Sequence, residues 1–291
     1  MIVCRIILLI MVFSNMAWAL SVEDDSGRVV TIGQPAMRIV TLAPHATEHL
    51  YALGVGERIV ATVEHSDYPK AALSIPRLGG ADAISVEKIY AMSPDLVIAW
   101  QGGNPPELLA QLERLGLVVY RSSAKSLQGI ADTVQRLGKL TGAVERSDEL
   151  VQDYRQALSE LQMQYQSSTR VSVFYQLWSQ PLMTANRSLL VSQMIELCAG
   201  DNVFADRPEA VPKTSVESVV LLGPDVILAP TQGTPADWKQ TWLAWPEIPA
   251  VKYQTLYTLD ADLVSRPTIR VLEGARQLCK MLDNARTKLS R

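Results

Sequence analysis

The stretch SVEKIYAMSPDLVIAW occupies Ser85–Trp100, and a variant of it, SVESVVLLGPDVILAP, returns at Ser215–Pro230. Six of the sixteen positions are identical at a constant offset of 130: Ser85/Ser215, Val86/Val216, Glu87/Glu217, Pro94/Pro224, Asp95/Asp225 and Ala99/Ala229. Each copy reads as helix, turn, strand. A serine caps a helix by accepting a backbone N–H of its first turn, and Pro94 and Pro224 stop the helix. The runs Leu96–Trp100 and Val226–Ala229 are unbroken and apolar, as parallel strands are when both faces are covered.

Further strands flank each copy: Arg38–Ala43, Ile59–Val63 and Leu117–Tyr120 in the first half, Val171–Leu177 and Leu256–Leu259 in the second. Helical stretches alternate with them at Thr47–Leu53, Pro106–Leu115, Leu127–Gly138, Leu189–Cys198 and Thr268–Leu282. This alternation predicts an α/β fold with parallel sheets. Between the halves, residues 143–166 carry Val144, Leu150, Val151, Tyr154, Leu158, Leu161 and Tyr165 at near-helical spacing, with no Gly or Pro. The expected organisation is a leader over residues 1–19, an N-terminal α/β lobe over 20–142, one connecting helix over 143–166 and a C-terminal α/β lobe over 167–291. A small molecule is expected between the lobes, where ligand clefts concentrate.

The 291 residues are 48% hydrophobic and 20% charged, enough to bury a sizeable core, and the formal charge is only −3. A nucleic-acid binder would need a basic face, so that class is set aside. At the N-terminus Arg5, the apolar run Ile6–Phe13 and Ala17-Trp18-Ala19 read as a secretory leader cleaved after Ala19. The run is too short to span a bilayer, and an exported, periplasmic mature protein follows. Cys4 leaves with the leader, so two cysteines remain, Cys198 and Cys279, an even count in an oxidising compartment. They are expected to pair, the alternative being two buried thiols.

Several loops carry candidate chemistry. HATEH at His45–His49 matches H-x-x-E-H, a zinc pattern in which i and i+4 histidines share a helix face. A zinc carrier or zinc hydrolase using His45, Glu48 and His49 is therefore one reading. The other puts Pro44 and His45 in a strand-to-helix loop facing the cleft. His65 follows the strand at Ile59–Val63, and Trp100-Gln101-Gly102-Gly103-Asn104 follows the repeat strand of the first half. Paired glycines allow close approach to the backbone, and open α/β sheets bind ligands at strand carboxyl ends. No GxSxG elbow appears. Glu87 and Glu217 open matched helices. Helix-dipole stabilisation, about 0.3–1 kcal/mol each, explains an acid there. Its retention in both copies suggests one exposed acid per lobe, facing a partner with matching twofold symmetry.

SDYP at Ser66–Pro69, followed by PDLVIAWQGGN at Pro94–Asn104, resembles the periplasmic cobalamin-binding proteins of vitamin importers, a helical-backbone (class III) substrate-binding family. The resemblance runs from about Arg38 to Leu282 and takes in Cys198 and Cys279, which match cysteines that form a disulfide in relatives. It implies a non-enzymatic binding protein without a cofactor or bound metal, a monomer before docking, with cobalamin held between two lobes. It also implies delivery to an ABC importer with two identical membrane subunits, whose arginines receive Glu87 and Glu217. Asp262 and Arg266 match a family loop that contacts the corrinoid, with Leu263, Val264 and Ser265 between them. The chain departs from the pattern elsewhere. His65 stands where the family has an aromatic residue, Val211 where it has tryptophan, and Gly80–Ala83 lacks another. Trp178 is expected to serve as the second lobe's platform and His65 as a candidate cobalt ligand. Fewer aromatics leave incomplete corrinoids, haem or a siderophore as alternatives on the same fold.

Overall fold

Residues 19–80, 84–232 and 237–290 are described by the computed structural model. The expected leader, apart from Ala19, and the Ala81–Ala83 part of one loop lie outside the described residues. The chain enters through an antiparallel hairpin, β1 (Leu20–Glu23) and β2 (Val29–Ile32). There follow β3 (Ile39–Thr41), α1 (Pro44–Ala52), β4 (Ile59–Ala61), α2 (Val86–Ala91), β5 (Leu96–Trp100), α3 (Pro106–Arg114), β6 (Val119–Ser122) and α4 (Leu127–Thr141). The four parallel strands lie in the order β4-β3-β5-β6.

Helix α5 (Val144–Tyr165) then leads to the second lobe. This comprises β7 (Val171–Tyr175), β8 (Trp178–Ser179), β9 (Leu182–Met183), α6 (Leu190–Leu197), β10 (Gly200–Asn202), α7 (Val216–Leu222), β11 (Val226–Pro230), α8 (Lys239–Leu243), α9 (Pro249–Lys252), β12 (Leu256–Leu259), α10 (Ala261–Ser265) and α11 (Val271–Leu289). Its sheet runs β10-β7-β11-β12, all parallel, the same winding as the first. The fold is α/β, two parallel-sheet lobes joined by one long helix.

The repeated stretch does equivalent work in each lobe. Ser85 Oγ accepts from Lys88 N at 3.1 Å and Ser215 Oγ from Ser218 N at 3.2 Å, capping α2 and α7. Asp95 Oδ2 accepts the amides of Met37 and Arg38, both at 2.8 Å, at the entry to β3. Asp225 Oδ2 accepts the amide of Ser172 at 2.8 Å, at the entry to β7. The Pro-Asp pair thus sets the register between the first and third strands of both sheets.

Period-two alternation puts both faces of these strands in cores. Val97 and Ala99 face one cluster with Leu109 and Leu112 of α3; Leu96 and Ile98 face another that includes α4, α5 and the second lobe. In β11, Ile227 and Ala229 meet Phe174 and Trp242, while Val226 and Leu228 join the shared cluster. Helix α5 buries Val151, Tyr154, Leu158, Leu161 and Tyr165 along one stripe. Its 22 residues span about 33 Å. One continuous core therefore passes through the connecting helix. Cys198, after α6, is bonded to Cys279 of α11, Cα to Cα 4.8 Å.

Three departures from the sequence reading matter here. Helix α1 begins at Pro44, because a proline fits the first helical position, where no N–H is needed. His45 therefore lies in the first helical turn, not in a strand-to-helix loop. Strand β6 begins at Val119 rather than Leu117, and α11 begins at Val271 rather than Thr268. Residues 266–270 instead form a connection running against the first lobe. The short pairings β1–β2 and β8–β9 carry too little periodicity to be expected.

Candidate functional site

In each sheet the winding reverses direction at its first strand, and such switch points open crevices at strand carboxyl ends. Between the lobes lies a cavity of about 580 Å³, within the usual size of small-molecule sites. Trp100 and Lys125 line it from the first lobe; Tyr175, Leu189, Gln193 and Val264 line it from the second. A larger hollow of about 740 Å³, beside Arg170, Asp225 and Arg286, lies at the entry ends of β7 and β11. Ligands of open α/β sheets do not bind at that end, so the inter-lobe cleft is the candidate site.

The first-lobe wall is built around Trp100, whose side chain is 46% exposed at the end of β5. Trp100 N donates to Asn104 Oδ1 at 2.7 Å, and Asn104 Nδ2 donates to the Leu42 carbonyl at 3.1 Å. Gly102 takes φ +91° and closes the loop. A Cβ on Gly103 would collide with Trp100 Cε3, so the indole rests directly on that glycine. His45 meets the indole edge-on from below, ring centroids 6.0 Å apart, and its Nε2 lies 3.2 Å from Ser122 Oγ. Gly103 and His45 thus back the indole, Gly102 closes its loop, and Trp100 itself reaches the cavity, whereas Pro44, at the first position of α1, does not line it.

Beneath this wall the hydroxyls of Thr41, Thr47 and Thr62 lie 2.7–2.9 Å apart, and Thr62 donates to Ser66 at 2.8 Å. All four residues are fully buried. A satisfied buried polar cluster of this kind fixes one arrangement. It ties α1 to the SDYP segment and leaves His65 exposed at φ +63°. Left-handed backbone is uncommon for a residue other than glycine. His65 does not line the cavity.

Glu48 of α1 is 97% buried as a side chain, since its exposure is 3%, and both its oxygens are used. Oε1 accepts from Arg266 Nη1 at 2.8 Å and Arg270 Nη1 at 3.1 Å; Oε2 accepts from Thr268 Oγ1 at 3.1 Å. Arg266 also reaches Asp67 and Asp262, each at 3.0 Å. Arg270 stacks its guanidinium 3.6 Å above the Tyr68 ring. Glu48 therefore serves the seam between the lobes. Its two flanking histidines do share a face, ring centroids 6.3 Å apart. Among the described residues no group of three His, Cys, Asp or Glu is placed to hold a metal ion.

Both histidines are neutral bases. Burial, then the charges of His49 and Arg266, lowers His45 to about 3. Burial lowers His49 to about 4, with the Pro267 carbonyl pulling the other way.

Of the other residues singled out in the sequence, Val264 and Ser265 line the cleft beside Pro267. Leu263 is buried against Gly274 of α11. Asp262 and Arg266 turn towards the first lobe. Trp178 is 48% exposed on β8, next to the cavity-lining Leu177. Glu87 and Glu217 stand exposed in the first turns of α2 and α7. The Ser85 hydroxyl and its own amide hold the Glu87 carboxyl below the usual range; for Glu217 its own amide acts first, then Ser215. The reading of the sequence missed Lys125, Tyr175, Leu189 and Gln193. Lys125 and Tyr175 sit at or beyond the carboxyl ends of β6 and β7, a usable signal. Gln193 lies within a helix and carries none.

This two-lobed α/β frame with a bridging helix and an inter-lobe cleft defines a class of ligand-capturing proteins. The chain belongs to the periplasmic binding protein family, whose model matches residues 39–263. It is a family of binding proteins for transport, not of enzymes. The vitamin B12-binding protein of Vibrio cholerae is 40% identical over 252 residues, covering 86% of this chain and 91% of that protein. The crystal structure of the periplasmic vitamin B12-binding protein BtuF of Vibrio cholerae superposes with a TM-score of 0.79 at 39% identity, covering 87% of this chain and 98% of that one. A possible iron-binding periplasmic protein from Staphylococcus epidermidis gives a TM-score of 0.76 at 27% identity, covering 86% and 99%.

Proposed function

We propose that this protein captures cobalamin between its lobes in the periplasm and hands it to an ABC importer. The 40% identity with a vitamin B12-binding protein, extending over 91% of that protein, carries the reading. The cleft supports it chemically: a half-exposed indole on a rigid loop offers a flat apolar face to a large, flat ring. Trp178, half-exposed beside the cavity-lining Leu177, is the proposed platform of the second lobe. Asp262 and Arg266 flank Val264 and Ser265, which line the cleft, and His65, exposed outside the cavity lining, is the proposed cobalt ligand. Glu87 and Glu217, one per lobe at matched positions, present charges to two identical membrane subunits. The leader directs export and is removed after Ala19.

Isothermal titration of the mature, disulfide-intact protein with cyanocobalamin, with cobinamide in parallel, tests the reading. One-to-one binding of cyanocobalamin is expected. Binding of cobinamide alone would move the ligand to incomplete corrinoids; binding of neither would turn attention to haem and siderophores. For His65, the expected result is a changed visible spectrum of the bound corrinoid in His65→Ala. An identical spectrum removes it as a cobalt ligand.

A further inference from the structure

The two lobes are covalently joined through α5, yet a second tie crosses between them beside the cleft. Glu48, on the first lobe, is held by Arg266, Thr268 and Arg270 of the second. Arg266 and Arg270 also meet Asp67 and Tyr68 of the first lobe. The segment from Arg266 to Arg270 is therefore pinned to the opposite lobe at three points. That segment continues directly from Val264 and Ser265 and contains Pro267, all of which line the cleft. On another wall a neutral amide ties the lobes: Gln193 donates to the Lys125 carbonyl at 2.9 Å and accepts from Leu127 N at 3.1 Å.

We infer that Glu48 is a positioning residue: without lining the cleft, it fixes the wall Val264–Pro267 and the angle between the lobes, and so governs how fast the ligand leaves. Opening the lobes would take the buried Glu48 carboxylate from both of its arginines at once and leave its charge uncompensated. The tie therefore holds one inter-lobe angle and resists intermediate ones. Arg266 keeps Asp262 of its own lobe as a partner, so the buried carboxylate, and not the guanidinium, is the group that opening would strand. The effect on ligand release rests on the cobalamin reading; the effect on the angle does not.

The test places nitroxide labels at Leu73→Cys and Leu243→Cys, exposed positions on the two lobes, in the disulfide-intact protein. Glu48→Gln keeps the shape of the side chain and removes its charge. The ligand-free variant is expected to show a broader, displaced inter-lobe distance distribution than its parent. Cyanocobalamin dissociation, followed by stopped flow, should accelerate about tenfold with association changed less than about twofold, since affinity differences of this kind reside mostly in dissociation. Asp67→Asn removes one half-exposed leg of the network and leaves Glu48 paired, so it decides the matter if Glu48→Gln does not fold; a smaller shift in the same direction is expected. An unchanged distance distribution overturns the inference, and so does a broadened one with parental dissociation. If the parent protein does not bind cyanocobalamin, the cobalamin reading falls while the distance comparison still decides the tie.

Discussion

The indole of Trp100 lies so close over the α-carbon of Gly103 that the glycine is part of the platform. The clash of a methyl there is with three ring atoms, all within 2.6 Å, and not with the tip of a flexible chain. Gly103→Ala is therefore expected to displace the indole from the cleft wall. Cyanocobalamin affinity should fall about tenfold, equivalent to 1.4 kcal/mol, with thermal stability nearly unchanged. Calorimetry together with tryptophan fluorescence checks this; parental affinity would show that the platform does not bear the ligand.

Trp178 offers a second comparison. Aromatic stacking contributes about 0.5–1.5 kcal/mol beyond area burial. Trp178→Ala should weaken cyanocobalamin binding by about that much or more, and Trp100→Ala should do the same. Titration of both variants would expose a bystander as the one whose affinity stays parental.

Glu87 and Glu217 are expected to leave ligand capture alone. Each is exposed and outside the cavity lining, and each projects from the first turn of a short helix. The double variant Glu87→Ala/Glu217→Ala should bind cyanocobalamin with parental affinity and fail to deliver it to vesicles containing the importer. Each single variant should retain partial delivery. Full delivery by the double variant would remove the docking role.

The disulfide closes a loop with a sequence separation of 81. Chain-entropy arguments give a contribution of about 4.5 kcal/mol for a loop of that length. Cys198→Ala/Cys279→Ala should therefore lower the unfolding free energy by up to about this amount, read from urea midpoints at constant slope. No change in midpoint would mean that the unfolded chain is not restrained by the bond.

His45 and His49 make stability depend on acidity. Their folded values, about 3 and about 4, lie below the ordinary 6.5, so the unfolded chain binds more protons as pH falls below that value. Stability is complete above about pH 6.5 and declines through the range down to the folded values, with a slope of up to about 1.4 kcal/mol per pH unit for each histidine. Denaturant titrations at pH 7 and pH 5 measure it. His49→Gln should flatten the dependence, and an unaltered slope would assign the acid sensitivity to other groups.

Much of the frame was legible along the chain. The repeated stretch announced two related lobes because parallel strands buried on both faces must be continuously apolar, and Leu96–Ala99 and Val226–Ala229 are. The stripe on α5 was equally plain. Local signals failed where partners are remote. HATEH reads as a metal motif until Glu48 is seen paired with arginines 218 and 222 positions further on. Leu263 and Val264 are adjacent and similar, yet one packs on α11 and the other on the cleft.

The sequence by itself determined the fold class, the duplication, the pairing of two cysteines and the family, because each depends on periodicity, local capping or residue type. Only the tertiary structure decided which side chains form the cleft wall, that Gly103 is the seat of Trp100, and that Glu48 and Arg266 bind the lobes to each other. The tie between the lobes depends on a contact between residues 218 positions apart in sequence. Neither partner carries a trace of the other in its own local pattern.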